Sequence, residues 1–549
     1  ASKGAPLVFK LVSYIILSWV LVCLAQPDVS VVASVVSCIC GYSLLWAGLF
    51  ALVEQLSWKK VWCIAFIWTW TVEGAHFSWM LEDLYVGTSI YFVWGILLSY
   101  LATLFASFSC LVVWCCRKQY RGALVWLPGV WVAIEAIRYY GLLSGVSFDF
   151  IGWPLTATAY GRQFGSFFGW AGQSFLVIAA NICCFAVCLL KHSFSKGLWL
   201  TLCAFPYLLG GAHYEYLKKH FSDSEVLRVA IVQPGYSPHM HAGRTASAIW
   251  RGLVSLCQTI QTPVDVIVFP EVSVPFGLHR QAYTLHENQP VLESLLPNKS
   301  WGEFFTNLDW IQAIAERYQC TVIMGMERWE NKGGILHLYN AAECVSREGE
   351  ITSYDKRILV PGGEYIPGGK IGFSLCQTFF PEFALPFQRL PGEFSGVVNI
   401  TERIKAGISI CYEETFGYAI RPYKRQQADI LVNLTNDGWY PRSRLPLVHF
   451  YHGMLRNQEL GIPCIRACRT GVSAAVDSLG RIVGILPWES RTCPVSTGVL
   501  QVSVPLYSYH TVYARLGDAP LLLIAVCSVI GAIAYFYRKK KETPPQTFF

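Results

Sequence analysis

Three stretches of this sequence end an apolar run on a group that can do acid–base or covalent chemistry. VIVFPE closes on Glu271, SYDKRILVPGGEYIPGG carries Lys356 and Glu364, and ISICYEE delivers Cys411 followed by Tyr412, Glu413 and Glu414. An ordinary thiol has a pKa of about 8.5, so at neutral pH only a few per cent is the nucleophilic thiolate. A carboxylate that takes the thiol proton, with an ammonium that favours negative charge on sulfur and then on a substrate oxygen, would answer that need. Each residue alone also has a plain structural reading, since free cysteine behaves as a small buried hydrophobe. Their joint placement at the ends of apolar runs points to one site.

The elements that must position them alternate. Short, β-branched, apolar runs at 226–234, 264–271, 320–328, 341–351, 406–413, 428–437 and 463–471 read as strands, and the patterns at 244–260, 305–318 and 446–460 read as helices. Such alternation predicts an α/β domain over residues 220–515. In folds of that class, ligands bind beyond the carboxyl ends of the strands, where Glu271 and Cys411 are expected.

The rest of the chain has a different character. It is 53% hydrophobic and 14% charged, against roughly 25% charged in ordinary soluble domains. Runs near the ~20 residues needed to cross a bilayer occur at 7–25, 30–53, 61–81, 86–116, 122–141, 164–190, 197–214 and 519–537. This predicts a bundle of seven spans over 1–216, one C-terminal span over 519–537 and a cytoplasmic tail over 538–549. Lys59 and Lys60, Arg117, Lys118 and Arg121, Lys191 and Lys196, and Arg538 to Lys541 then fall in alternate loops, while Glu82 and Asp83, or Asp149 with Arg162, fall in the others. Basic residues are retained on the cytoplasmic side, so the α/β domain is expected outside. The first run, with Lys10 ahead of it and VCLAQP at its end, is read as a retained signal anchor, cleavage being the alternative. The net charge of +7 is attributed to the inside-facing clusters, and no nucleic-acid partner is expected.

The motifs around the three groups are specific. FPE, YDKRILVPGGEYIP and ICYEE, with LTNDGWY and the stretch HFYHGMLRNQELGIPCIRACRTGVSAAVDSLG, resemble the carbon-nitrogen hydrolase (nitrilase-like) superfamily. A helical bundle carrying such a domain before its last span, with VPGGEYIP, NDGWY and YARLGD, is similar to the membrane-bound branch of that superfamily, the bacterial apolipoprotein N-acyltransferases. The resemblance implies a polytopic bundle of about eight spans plus an α-β-β-α sandwich, in the bacterial inner membrane with the catalytic domain on the periplasmic side. It further implies transfer of an acyl chain from a membrane phospholipid, through a thioester on Cys411, to the N-terminal amine of a diacylglyceryl-cysteine lipoprotein. By the same resemblance Glu271, Lys356 and Cys411 form the triad, with Tyr412, Glu364 and Glu413 supporting the oxyanion and the lysine. No cofactor and no metal are expected. A membrane-tethered amidase and a transporter or scaffold with an inactive outer domain are the two other readings.

Further residues carry expectations. The Gly-rich, apolar segment 361–395 is read as a lid on the lipid side, with Phe373, Phe379 and Phe380 as lipid contacts; the competing reading is a loop folded over its own domain. Trp439 and Tyr440 either line the pocket or pack at a strand end. Arg469 and Thr470 stand where the acyltransferases more often carry Asn, and no tryptophan follows the first strand in PGYSPHMHAGRTA. His449 and His452 are read as ordinary helix residues, and Cys464 with Cys468 lacks the second pair a zinc site needs. Within the bundle, Glu73 with His76 and Glu135 with Arg138 share helix faces; each pair is expected to be joined internally, transport being the functional alternative.

Overall fold

The computed structural model describes residues 5–141, 145–190, 193–221, 225–236, 238, 244–379, 388–393, 396–487 and 496–542. The chain forms two compact units. One comprises Ala1–Leu81, Ile90–Leu217 and Leu516–Phe549; the other comprises Glu82–Ser89 and Lys218–Arg515.

The first unit is helical, with a helix at each of the eight apolar runs: Ala5–Cys23, Val31–Leu52, Trp58–His76, Ile90–Arg117, Leu127–Gly141, Ala159–Leu190, Ser193–Lys219 and Ala519–Glu542. Among the described residues four of them, Val31–Leu52, Ile90–Arg117, Ala159–Cys188 and Ala519–Glu542, are long and apolar enough to cross a membrane. Their packing is aromatic: Trp46, Trp68, Phe105, Phe108 and Trp131 share one core, with Phe105 edge-on to Trp131 at 5.3 Å. The outward side chains Leu523, Val526, Ile530 and Ile533 are exposed, which suits lipid rather than water. Inside Val31–Leu52 one π-helical turn, Ser37–Gly41, disturbs the backbone pairing. Asn181 repairs it, accepting from the Tyr42 and Ser43 amides at 2.9 and 3.1 Å and donating to Cys38 O at 2.9 Å. A buried helix interruption persists only when such partners exist.

The second unit is a two-sheet sandwich. Its strands in chain order are β1 (Val226–Gln233), β2 (Val266–Phe269), β3 (Tyr283–Thr284), β4 (Phe304–Phe305), β5 (Thr321–Lys332), β6 (Ile335–Val345) and β7 (Ile351–Asp355), then β8 (Val398–Asn399), β9 (Lys405–Ile410), β10 (Ile430–Thr435), β11 (Cys464–Cys468), β12 (Ala474–Val476), β13 (Ile482–Ile485) and β14 (Gly498–Pro505). One sheet has the order β14-β1-β2-β5-β6-β7, the other β13-β12-β11-β10-β9-β8. The central strands β1, β2 and β5, and β9, β10 and β11, pair in parallel. Covered on both faces, β2 and β10 are buried at every residue, which is why their sequences are continuous apolar runs rather than alternating ones. The sheets face each other with β1 against β11 and β6 against β9. Helices Ala246–Cys257 and Asn307–Tyr318 cover the first sheet through Trp250, Leu253, Trp310 and Ile314, and Thr306 with Asp309 caps the second helix in a reciprocal box.

Three sequence expectations change here. The run 341–351 is not one strand but the turn of a hairpin: β6 ends at Val345, Ser346 N donates to Glu350 O at 2.8 Å, and Gly349 takes φ +88°. Only glycine adopts that conformation at no steric cost, and Arg-Glu-Gly supplies it. The run 406–413 stops as a strand at Ile410, and Cys411–Thr415 is a short 3₁₀ turn. The segment 361–395 is not wholly loop, because Gly369–Phe379 is a helix. Phe380 lies outside the described residues.

Candidate active site

Strand ends bring the candidate residues together. β2 terminates at Pro270 and Glu271, whose turn lies against β5 where Gly325 leaves room: a Cβ there would stand 2.5 Å from Pro270 O and 2.7 Å from Glu271 Cα. Ser273 fixes that turn, its Oγ donating to Pro270 O at 2.6 Å. β7 leads into Lys356, whose amide donates to Asn340 O on β6 at 2.8 Å. β9 leads into Cys411, which has φ +54°, the left-handed region where an L side chain is strained. Asn433 on β10 holds this turn, donating from Nδ2 to Cys411 O at 3.1 Å.

Lys356 is 1% exposed and sits between two carboxylates. Its Nζ is 2.8 Å from Glu364 Oε2 and 3.5 Å from Glu271 Oε1. Asn340 joins the two acids from the other side: Nδ2 donates to Glu271 Oε1 at 2.7 Å and to Glu364 Oε1 at 2.8 Å. The second Glu364 oxygen also accepts from Val360 N at 2.9 Å. Burial alone would favour a neutral lysine, but Glu364 and then Glu271 hold the ammonium well above the ordinary lysine range. Burial opposes ionisation of Glu364, and Lys356 more than compensates, holding that carboxyl below its usual range. For the Cys411 thiol, burial and then the Glu271 charge raise the pKa, with Lys356 opposing. Cys411 therefore rests as a thiol.

Glu413 binds the cysteine turn to the lysine segment. Its Oε1 accepts from the amides of Arg357 and Ile358 at 2.6 and 3.0 Å. Its Oε2 accepts from Ile410 N and Tyr354 Oη, each at 2.8 Å. Burial pushes its pKa up and Arg357 counters. Tyr412 packs edge-on to Phe416 at 4.9 Å.

Behind the cysteine turn, Arg466 is 2.8 Å from Glu414 Oε1 and 3.0 Å from Asp437 Oδ2, and His449 Nδ1 is 2.8 Å from Asp437 Oδ1. Against the cost of burial, Arg466 and His449 hold Asp437 below its usual range. His449 and His452 are therefore core residues. Trp439, three residues beyond Asn436, is 40% exposed and Tyr440 is half-buried. Phe373 is partly exposed on the helix Gly369–Phe379, and Ile371 and Leu375 stand out from it at 76% and 55% exposure. Phe379 closes that helix. Arg469 donates from Nη1 to Val272 O, next to Glu271, at 3.1 Å, so the residue that departs from the expected Asn buttresses the Glu271 turn. Burial lowers its pKa to about 10, with Glu271 opposing. Cys257, Cys320, Cys344, Cys411, Cys464 and Cys468 are free thiols.

Sequence reasoning missed Asn340, although its signal was present: one amide, beside a single acid, Glu343, inside the mostly apolar LYNAAECV. A polar side chain buried in a strand must find partners, and here they are the two acids.

Comparison with known proteins covers both units. Residues 228–509 match the family model for carbon-nitrogen hydrolases, and residues 18–183 match that for the apolipoprotein N-acyltransferase N-terminal domain. An apolipoprotein N-acyltransferase of Chlamydia muridarum (strain MoPn / Nigg) is 78% identical over 97% of this chain and 99% of its own length. The chain belongs to the apolipoprotein N-acyltransferase family. A Chlamydia caviae member of the family is 52% identical over 96% of this chain and 98% of its own length. Among solved structures, a carbon-nitrogen hydrolase from Helicobacter pylori aligns over 52% of this chain and 91% of its own, at 16% identity and a TM-score of 0.35.

Proposed function

We propose that this chain is an N-acyltransferase that moves an acyl chain from a membrane phospholipid, through a thioester on Cys411, to the α-amino group of a diacylglyceryl-cysteine lipoprotein. The observation that carries the reading is the Lys356 ammonium, buried between Glu271 and Glu364 and close enough to Cys411 for each to alter the other's proton affinity. Glu271 takes the Sγ proton as sulfur bonds to the ester carbonyl carbon. The oxyanion forms against the Lys356 ammonium and the Tyr412 amide. Its collapse breaks the carbon–oxygen ester bond, and Glu271 returns the proton to the departing glycerol oxygen, releasing lysophospholipid. The lipoprotein amine then attacks the thioester, gives its proton to Glu271 and leaves as the amide while Cys411 regains its thiol. One cysteine serving both substrates makes the kinetics ping-pong. Glu364 and Glu413 position the lysine and the cysteine turn.

The exposed Ile371 and Leu375 on the helix Gly369–Phe379 support a lipid-side lid, with Phe373, Phe379, Phe380, Trp439 and Tyr440 as contacts for the acyl chain. The alternation of basic and acidic loops supports eight spans in the bacterial inner membrane, the hydrolase domain inserted before the last of them and facing the periplasm. The test is intact mass after mixing the purified protein with phosphatidylethanolamine. An acyl-sized, hydroxylamine-sensitive gain in wild type and not in Cys411→Ala is expected. No gain in folded, reduced wild type overturns the reading in favour of hydrolysis of a small amide or a non-enzymatic domain.

A further inference from the structure

The helical unit holds a second buried cluster that the acyl-transfer chemistry does not use. Glu73 and His76 lie three apart on the helix Trp58–His76, so both project from one face. Asp149 meets them from another segment, with its Oδ2 2.8 Å from His76 Nδ1. This corrects the expectation that Glu73 and His76 pair with each other. One donor atom from each of the three side chains lies within 4.8 Å of the other two.

We propose that Glu73, His76 and Asp149 are a binding site for a first-row divalent metal ion of the Zn²⁺ or Mn²⁺ class. His76 Nε2 is 2.9 Å from Val22 O, an acceptor only, so Nε2 carries the hydrogen. Nδ1 then points at Asp149, the orientation in which histidine presents itself to a metal while a backbone carbonyl holds its other nitrogen. Asp149 is fixed independently: Gln26 Nε2 donates to its Oδ1 at 2.8 Å, and Arg138 Nη2 donates to its backbone oxygen at 3.1 Å. Imidazole with two carboxylates suits borderline first-row ions.

A second observation points to an occupant. Glu73, His76, Asp149, Glu135 and Arg138 line one cavity of about 40 Å³, room for an ion with one or two waters. Glu135 is 2% exposed and its Oε2 has no hydrogen-bond partner, and Arg138 Nε likewise has none. The carboxyl groups of Glu73, Glu135 and Asp149 and the His76 imidazole thus line one cavity, a donor set suited to a divalent cation.

The test uses the full chain in detergent, stripped with EDTA and reloaded with Zn²⁺ or Co²⁺. The expected result is one ion per chain by elemental analysis, and a Co²⁺ visible spectrum without thiolate-to-cobalt charge transfer. His76→Gln with Asp149→Asn should lower occupancy at least ~10-fold. A wild type that takes up no ion means the cluster is an imidazolium–carboxylate group balanced by protons, and overturns the site. Charge-transfer bands, which place the ion on cysteine, or undiminished binding in the double variant overturn it equally. The wild-type spectrum decides even where the double variant fails to fold.

Discussion

Two buried clusters of charge in this chain follow different rules. Around Lys356, the cation has two carboxylates, the carboxylates share an amide donor, and a backbone N–H takes a further oxygen. Around Glu135 and Arg138, by contrast, buried polar atoms stay unmatched, each costing about 1–3 kcal/mol if left so. In the first cluster every charged group is paired, although Asn340 Oδ1 is left without a partner, and charges held in this way are preorganised. In the second, the proposed metal ion would complete what the chain leaves open. Under the two proposals, the difference separates a site that performs chemistry from a site that takes a ligand.

The comparison breaks first at Lys356. Lys356→Met leaves Glu271 and Glu364 buried without their cation, and we expect thioester formation to fall at least ~10³-fold with a loss of about 3–5 kcal/mol in stability, read by intact mass and thermal unfolding. A variant that still forms the thioester within tenfold of wild type would mean that this pairing is structural and not catalytic.

Glu343 on β6 sharpens the comparison from the middle, since it is a buried acid with a hydroxyl partner, Ser353 Oγ at 2.5 Å, in place of a cation. Burial pushes its pKa from 4.5 up to about 7. The folded state therefore holds a proton that the unfolded chain releases between pH 4.5 and 7, so stability falls as pH rises through that window and levels above it. The span is worth up to about 3 kcal/mol at 1.36 kcal/mol per pH unit. Glu343→Gln should flatten the unfolding midpoint between pH 5 and pH 7.5; an unchanged slope would assign it to other groups.

Asn340→Leu removes the donor shared by both acids. We expect ~30- to 100-fold slower thioester formation, about 2 kcal/mol, with the lipid KM little changed, because the amide orients charge rather than binding lipid. A rise in KM at constant rate would place Asn340 in the lipid pocket instead. The smallest effect concerns the turn at Cys411. Both Cys411→Ala and Cys411→Gly abolish the thioester, but glycine relieves the left-handed strain, so the glycine variant should be more stable by about 1 kcal/mol. Equal melting temperatures would show that the turn is not strained.

The strand ends that form the candidate site were legible because apolar runs announce strands and each run ended on a reactive group: VIVF before Glu271, ISI before Cys411. What stayed hidden depends on pairing between distant segments. Asn340 is one polar letter in a strand, and nothing local says that its partners are Glu271 and Glu364, 69 and 24 residues away. Asp149 read as a loop charge, and its meeting with His76 is set by packing across 73 residues. The hairpin at Gly349 was merged into one strand because the apolar pattern on either side continued across it. The helix Gly369–Phe379 was masked by its flanking glycines, Gly368 and Gly369, both at positive φ.

The carboxylate of Glu413 has a consequence for motion. It takes hydrogens from Arg357 and Ile358 in one segment and from Ile410 in another, so two stretches of chain on different sheets share one anchor. Arg357 and Ile358 lie beyond the end of β7, where amides ordinarily exchange quickly with solvent deuterium. Here they should exchange as slowly as the centre of a strand and in step with Ile410, opening together or not at all, because the ammonium-bearing segment and the thiol-bearing turn are, on the time scale of hydrogen exchange, one piece of the molecule.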